Sequence, residues 1–516
     1  MSDGPRLEPP SERPLNAVVV LLDSLNRHML GSYGGREFDT PNLDRIAARS
    51  LRFTNHQTGA LPCMPARHDL LCGTLDFLWR PWGSVELWDT PITRLVRDEG
   101  VTTMLVSDHP HLFETGGENY HTDFAAWDYT RGHEGDPWKT AVDPSWLGTP
   151  ALPARPAPRH HPYETNRTWF GSEAEFPGPR TMQAAADWLA TQAPQSERFL
   201  LVVDEFDPHE PFDVPEPWAN RYDPDWDGPN IIWPPYAIDA IASGAIDERS
   251  ARHVRANYGA KLTFIDHWLG RILDRFDEQD LWSDTALILC TDHGHYLGER
   301  DMFGKPGAPV HGTLGHIPLL VAWPGARPTT VDSLTTTVDL FATLCDVFGV
   351  NPPNGTHGHS IVPLIDGSAD RIRDWALTGY WGREITIVDD THRYTRAPLA
   401  TNRPLSMWSN RWSTMPIHSL PNLRLPHPDH RATLDTMPHS DVAVIRQPFD
   451  VGDAVPFWAL RPEVEPVHEL YDVSVDPDET ENRSGTTDET ALVELLRTAL
   501  DDLQAPTDQL VRLGLP

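Results

Sequence analysis

The chain has 516 residues and a formal net charge of −33, and this acidity argues against a nucleic-acid partner bound on a broad basic surface. Its length allows one large domain and a smaller one. No apolar stretch is long enough to span a membrane, and residues 1–14 are polar and proline-rich. We therefore expect a disordered tail over 1–14, no signal peptide, no membrane partner and a cytoplasmic location, which the four scattered cysteines also favour.

The first predicted strand is the run NAVVVLL over residues 16–22, whose continuous apolar character is typical of a strand buried on both faces. Asp23 follows it directly. Ligands of open α/β sheets gather at the carboxyl ends of the strands, so Asp23 is a candidate metal ligand. The simpler alternative is that Asp23 and Ser24 cap a turn.

The segment Cys63-Met64-Pro65-Ala66-Arg67 opens a predicted helix over residues 66–71 that ends at Gly73. A helix N-terminus favours negative charge, and Arg67 lies one turn after Cys63 on the same face. This arrangement suits a tetrahedral oxyanion beside a sulfur nucleophile. On spacing alone, a buried cysteine ahead of an ordinary helix explains the segment equally well.

Three further apolar runs are followed by polar residues. Asp108, His109 and His111 follow residues 101–106, and His209 follows residues 199–203. Asp292 and His293 follow residues 285–290. Because the carboxyl ends of parallel strands meet at one edge of a sheet, we expect these side chains to converge with Asp23 and Cys63. Aspartate and histidine together offer oxygen and nitrogen ligands to a divalent ion. The simpler alternative for His109 and His111 is an ordinary structural residue, whereas the position of His209 favours a functional role.

Helical periodicity predicts further helices over residues 40–50, 90–99, 179–193, 247–278, 337–348 and 487–503. Residues 113–180 are dense in Pro, His, Trp and Gly, and we predict ordered loops there. After about residue 370 the alternation of strand and helix lapses. Short antiparallel strands are expected over 376–382 and 385–388 and at Tyr394.

Six motifs follow one another in order: LGSYG (30–34), TPNLD (40–44), CMPAR (63–67), TDHG (291–294), GK (304–305) and ELYD (469–472). Together they resemble the type I, formylglycine-dependent sulfatases of the alkaline-phosphatase superfamily over nearly the whole chain. The resemblance implies an α/β fold with a large central, mostly parallel sheet flanked by helices and a smaller C-terminal α+β domain on a short antiparallel sheet. We place a catalytic domain at 15–370 and a C-terminal subdomain at 371–516.

The resemblance also implies two groups that the chain would carry. Cys63 would be oxidised to formylglycine (3-oxoalanine) by a formylglycine-generating enzyme, and the hydrate of that aldehyde would attack the sulfate ester of a small molecule or saccharide. One divalent cation, calcium ahead of manganese or magnesium, would be held by Asp23, the modified Cys63, Asp292 and His293.

The same resemblance gives roles to the basic residues. Arg67 and Lys305 would neutralise the anionic oxygens of the ester. The leaving oxygen would be protonated by one of three histidines, namely His209, His109 or His111. The enzyme would thus be a sulfuric ester hydrolase.

Two positions depart from the family pattern. Ser24 stands where a second acid is common, and Asp108 stands near the place of a sulfate-binding lysine, so Asp108 and His111 are assigned to substrate binding. These departures keep open a phosphonate monoester or phosphodiester hydrolase with the same machinery. A non-catalytic anion-binding protein with unmodified Cys63 is the more remote alternative, and a homo-oligomer is compatible with the sequence.

Overall fold

A computed structural model describes residues 13–146, 162–307, 309–411, 432–453, 455 and 465–515, so residues 1–12 of the predicted tail lie outside it. In chain order the strands are β1 (Asn16–Leu22), β2 (Leu51–Gln57), β3 (Thr102–Ser107), β4 (Ala126–Tyr129), β5 (Phe199–Glu205), β6 (Thr285–Cys290), β7 (Tyr296–Leu297), β8 (Phe303–Gly304), β9 (His316–Ala322), β10 (Thr329–Val331), β11 (Thr335–Thr336), β12 (Ala376–Gly379), β13 (Ile385–Val388), β14 (His392–Arg396), β15 (Leu405–Ser409), β16 (Thr433–Thr436), β17 (Ala443–Phe449) and β18 (Glu469–Asp472). The α-helices are α1 (Pro41–Ala47), α2 (Cys63–Cys72), α3 (Ile92–Asp98), α4 (Tyr163–Arg167), α5 (Pro177–Thr191), α6 (Glu248–Glu278), α7 (Gly312–Gly315), α8 (Thr337–Phe348), α9 (Val362–Ile365), α10 (Thr487–Asp502) and α11 (Thr507–Arg512).

The central sheet has the strand order β10-β2-β9-β6-β1-β5-β3-β4, and β11 pairs with β2. Pairing is parallel from β6 through β1, β5 and β3 to β4. Strand β9 runs antiparallel to β6 and β2. This arrangement confirms the predicted large, mostly parallel sheet.

Helices cover both faces of the sheet, because alternate side chains of a strand point to opposite sides. Ala17, Val19 and Leu21 join one buried cluster with side chains of α2, α3 and α8. The intervening β1 residues join a second cluster with α1, α5 and α6. Every residue of β1 is therefore buried, which explains why its sequence is apolar from Ala17 to Leu22.

The predicted helices agree with the structure to within a few residues at their ends. Helix α6 begins after Asp247, whose carboxylate accepts hydrogen bonds from the backbone N–H groups of Arg249 and Ser250. Helix α2 begins at Cys63, three residues earlier than predicted, and ends at Gly73, which has φ of 72°.

Four strands of the central sheet were not found from the sequence, namely β2, β4 and the short strands β10 and β11. β2 reads LRFTNHQ and mixes buried with half-buried residues, and its register with β9 shifts between Phe53 and His56. β4 reads AWDY and lies largely exposed at the end of the strand order. Neither sequence is a continuous apolar run, so hydrophobic patterning could not reveal them.

After residue 370 the described chain forms two smaller antiparallel sheets, β12-β13-β14-β18 and β15-β17-β16. The first contains the strands expected over 376–382 and 385–388 and at Tyr394, which confirms a smaller C-terminal part built on antiparallel strands. The boundary at residue 370 stays a prediction. In the part of the chain that the structure describes, no helix has both the length and the apolar character to cross a membrane.

Candidate active site

Helix α2 carries Cys63 as its first residue. Cys63 is 4% exposed, and its Sγ lies 3.4 Å from His293 Nε2 and 3.6 Å from Lys305 Nζ. Burial raises the pKa of the Cys63 thiol well above its usual value, and the nearby Asp23 carboxylate adds to this rise. The side chain is therefore a neutral thiol, which is a poor nucleophile in its unmodified form.

Two strand ends bring acidic side chains to Cys63. Strand β1 ends directly before Asp23, and β6 ends two residues before Asp292. Because these strands are parallel neighbours, both carboxylates reach the same edge of the sheet. One ligand atom from each of four buried residues lies within 4.8 Å of the others, and these residues are Asp23, Cys63, Asp292 and His293. The structure thus brings the four predicted metal-site residues together.

The protonation states of these side chains suit a divalent cation. His293 Nδ1 donates to the Gly294 carbonyl at 3.0 Å, so the Nε2 lone pair faces the group. Burial lowers the pKa of His293 and keeps its imidazole neutral. Burial would raise the pKa of Asp23, but the charges of Arg67, His209 and Lys305 and the hydrogen bond with His109 together hold this pKa well below its usual value. Ionised carboxylates and a neutral imidazole are donors that divalent metals accept.

Arg67 connects three carboxylates around this group. Its Nε and Nη2 bind the two oxygens of Asp204 at 2.8 and 2.7 Å. Its Nη1 binds Asp292 at 2.8 Å and the Cys63 carbonyl at 3.1 Å, and Nη2 also binds Asp23 at 3.0 Å. These five contacts match the five N–H groups of a guanidinium. Arg67 therefore organises the carboxylates, and its predicted contact with ester oxygens stays a prediction.

Asp204 and Ser24 belong to the site although the sequence prediction gave them no role. Asp204 ends an apolar run, which is the same signal that identified Asp23 and Asp292. Ser24 Oγ donates to Asp23 at 2.8 Å, and the Ser24 backbone N–H donates to Asp292 at 3.1 Å. In the place of a second acid, Ser24 thus orients both candidate ligands. Nothing in the sequence around Ser24 indicates that it orients these two carboxylates.

Lys305 and His209 form a basic pair next to Cys63. Lys305 Nζ lies 2.7 Å from His209 Nε2. His209 Nδ1 donates to the Glu210 carbonyl at 2.8 Å, so Nε2 is the acceptor for the lysine. Burial lowers the pKa of His209 well below its usual value, in agreement with a neutral ring. The Lys305 ammonium therefore donates a hydrogen bond to the neutral imidazole of His209.

The two histidines after β3 differ in their contacts. His109 is fully buried, and its Nε2 lies 3.4 Å from Asp23 Oδ2, so it joins the group. Both ring nitrogens of His111 face carboxylates, Nδ1 that of Glu114 and Nε2 that of Glu134 at 3.3 Å. His109 thus lies beside a candidate metal ligand and its catalytic role stays a prediction, whereas both ring nitrogens of His111 face carboxylates and leave none for an anion.

Asp108 turns toward the end of β5. Its carboxylate accepts a hydrogen bond from the backbone N–H of Phe206 at 2.9 Å. Burial raises the pKa of Asp108 to about 6, and the charge of Asp207 acts in the same direction. A carboxyl group among other acids repels a substrate anion, so this geometry gives no support to the predicted substrate contact of Asp108.

The layered fold and these side chains define an α/β protein with a buried group of possible metal ligands beside the cysteine that opens a helix. The sulfatase family model matches residues 15–350, well over half of the chain. The chain therefore belongs to the sulfatase family, which confirms the resemblance seen in its motifs.

Relatives and solved structures agree with this assignment. A sulfatase of Formosa agariphila is 24% identical over 417 residues, covering 73% of this chain and 78% of its own. Human iduronate 2-sulfatase is 24% identical over 358 residues, covering 60% of each chain. The structure of a phosphonate monoester hydrolase of Agrobacterium radiobacter superposes with a TM-score of 0.65 and 20% identity over 96% of both chains. At that identity the likeness shows the fold alone.

Proposed function

We propose that this protein is a metal-dependent sulfatase that hydrolyses sulfate monoesters, with the converted side chain of Cys63 as the nucleophile. The observation that carries this proposal is the 3.4 Å contact between Cys63 Sγ and His293 Nε2, inside a group of donors that suits a divalent cation. Membership of the sulfatase family supports a sulfate ester as the reacting group.

Asp23, Asp292 and His293 would hold the cation, with the converted Cys63 side chain as a further ligand. When present, the cation supplies positive charge to the ester oxygens and the formylglycine hydrate supplies the nucleophile. Maturation by a formylglycine-generating enzyme is part of the proposal, because the unmodified thiol is buried and neutral.

Lys305 and His209 would serve the ester itself. The Lys305 ammonium lies 3.6 Å from Cys63 Sγ, so it faces the place where the anion would react. A proton passed from the Lys305 ammonium to His209 Nε2 would make His209 the general acid for the leaving oxygen. His109 lies next to Asp23, which stands at the same edge of the central sheet.

The ligand set favours manganese over the calcium expected from the sequence. Calcium prefers oxygen ligands throughout, whereas His293 contributes a nitrogen. Manganese shares the preference of calcium for carboxylates, but as a first-row transition metal it accepts a nitrogen donor more readily than calcium does. We therefore assign Mn²⁺ to the group.

The substrate class in this proposal is a sulfate ester of a small molecule or a saccharide. The names of relatives such as human iduronate 2-sulfatase support a saccharide. The net charge of −33 agrees with the absence of a nucleic-acid partner.

Replacing Cys63 by alanine tests the function. The protein is produced together with a formylglycine-generating enzyme, and aryl sulfate hydrolysis is measured for wild type and Cys63→Ala. We expect Cys63→Ala to lose turnover while its circular dichroism spectrum is unchanged. Cys345→Ala is the matched control, because Cys345 is also a buried cysteine near a helix end but packs in the core.

Mass spectrometry of the peptide that contains Cys63 checks the modification. We expect the mass loss that accompanies conversion of the CH₂–SH group to an aldehyde. An active Cys63→Ala variant would exclude the proposed reaction. Active wild-type protein with only unmodified cysteine would exclude formylglycine, and inactive unmodified protein would favour a non-catalytic anion-binding protein.

The second candidate is a phosphonate monoester or phosphodiester hydrolase with the same machinery. Two observations favour it: Ser24 orients the carboxylates instead of adding a charge, and Asp108 brings no cation to the site. Rates on matched aryl sulfate and aryl phosphonate monoesters decide between the two. A higher kcat/KM for the phosphonate than for the sulfate would identify the phosphonate as the preferred substrate.

A further inference from the structure

Asp204 stands next to the candidate metal site without belonging to its ligand group. Its two oxygens lie 2.7 and 2.8 Å from Nη2 and Nε of Arg67. Because each oxygen accepts an N–H at short range, this is the bidentate geometry of an ionised carboxylate. Asp204 is 4% exposed and Arg67 1% exposed, so bulk water does not screen the pair.

The rest of the Arg67 guanidinium holds the two carboxylates that would bind the metal. Its Nη1 lies 2.8 Å from Asp292 Oδ2, and its Nη2 lies 3.0 Å from Asp23 Oδ2. The opposite oxygens are bound as well, Asp23 Oδ1 by Ser24 Oγ and Asp292 Oδ1 by the backbone N–H of His293 at 2.8 Å. Each carboxylate is thus oriented from two sides, as outer contacts orient metal ligands in general.

The charge of Arg67 is unfavourable for a cation at this place. A guanidinium bonded to two ligand carboxylates competes with a divalent ion for their negative charge and repels that ion, and burial strengthens both effects. Asp204 opposes them, because its charge balances that of Arg67. Its contacts are also slightly shorter than the contact of Arg67 with Asp23.

We propose that Asp204 is a positioning residue of the metal site, which neutralises Arg67 and holds it against Asp23 and Asp292 so that these carboxylates keep their charge for the cation. This inference rests on the proposed metal-dependent function and extends it to a residue that ligates nothing. It predicts that metal affinity depends on the charge at position 204.

Titration of the metal-free, full-length protein with Mn²⁺ in a calorimeter measures this dependence. The Asp204→Asn variant keeps the shape of the side chain and loses its charge. We expect it to bind Mn²⁺ about 10- to 100-fold more weakly than the wild type. The matched control is Asp339→Asn, because Asp339 forms another buried, bidentate pair, with Arg373, outside the site. This control should lower thermal stability without changing the Kd for Mn²⁺.

A double variant separates charge from packing. In R67M/D204N both charges are absent, and the contacts by which Arg67 orients Asp23 and Asp292 are lost as well. An affinity above that of D204N supports the charge of the unpaired Arg67 as the cause of the weaker binding. An unchanged Kd in D204N would overturn the proposal. Where circular dichroism shows D204N unfolded, Asp204→Ser takes its place in the same comparison.

Ester hydrolysis is assayed separately, which keeps the two proposals apart. A wild type that binds Mn²⁺ and hydrolyses no ester refutes the proposed function, and the Asp204 test is then decided by the Kd values alone. A wild type that binds no Mn²⁺ overturns the role of Asp204.

Discussion

The backbone N–H of Leu61 donates to the carbonyl of Gly379 at 3.0 Å, so a residue two positions ahead of Cys63 is bound to the end of β12. The backbone N–H of Gly379 in turn donates a hydrogen bond to the Gly59 carbonyl at 3.2 Å. The smaller antiparallel sheet therefore holds the segment that leads into α2. A disturbance at Gly379 reaches the candidate nucleophile through these two bonds.

Gly379→Ala tests this link. A Cβ at this position would lie 2.9 Å from the Glu384 carbonyl oxygen and 3.0 Å from the Phe77 ring, so the backbone must move. We expect kcat/KM for an aryl sulfate to fall by up to about a hundredfold, because small displacements of reacting groups are costly. Gly135→Ala is the control, since nothing lies within 4 Å of its added Cβ. Wild-type kcat/KM in Gly379→Ala would show that the link does not matter.

His209→Gln tests proton donation to the leaving oxygen. Glutamine can occupy the place of the ring and accept the hydrogen bond from Lys305, but it cannot take up a proton and pass it on. We expect losses of about 10²- to 10⁴-fold in kcat for sulfates with poor leaving groups and a smaller loss for nitrophenyl sulfate. His111→Gln is the comparison, because both ring nitrogens of His111 face carboxylates, so any loss should be uniform. Equal losses on all esters for His209→Gln would argue against a general acid.

His293→Asn tests the metal assignment. Dialysis against a chelator should abolish wild-type activity, and Mn²⁺ should restore more of it than Ca²⁺. Replacing the imidazole nitrogen by an amide oxygen should shift the ratio of Mn²⁺ to Ca²⁺ affinity toward calcium. His295→Asn is the control, because its ring packs against Phe212 and is not among the four ligands. An unchanged ratio in His293→Asn would remove His293 from the metal.

Glu299→Gln tests a pH-dependent contribution to stability. Burial raises the pKa of Glu299, but His28 and Arg255 outweigh it and lower the pKa from 4.5 to about 2. A depressed pKa stabilises the fold above pH 4.5, and this stabilisation is lost as the pH falls from 4.5 toward 2. We expect Glu299→Gln to lower the free energy of unfolding by about 1–3 kcal/mol at pH 7. The difference should shrink toward pH 2.

Urea midpoints of wild type and Glu299→Gln at several pH values provide this measurement. Glu37→Gln serves as the control, because Glu37 contacts the same Arg255 at the surface, where such pairs contribute about 0–1 kcal/mol. A constant midpoint difference between pH 7 and pH 3 would contradict the linkage.

The two central strands β1 and β6 were predictable because their information is local. A strand buried on both faces is apolar nearly throughout, and residues 17–22 and 286–290 meet this condition. Strand β2 was not predictable, because its polar residues are placed by pairing with β9, more than 250 residues later in the chain. The roles of the smaller sheets likewise depend on contacts between distant segments, such as that of Leu61 with Gly379.

The sequence by itself determined which groups reach the site: the positions of Asp23, Asp292 and His293 follow from strand ends, and that of Cys63 from the start of a helix. Only the tertiary structure decided what the neighbouring side chains contact. Arg67 turns to Asp204, which is 137 residues away, and Asp108 turns to Phe206. The physical reason is that secondary structure depends on nearby residues, whereas the partner of a buried charge depends on which distant segment packs against it.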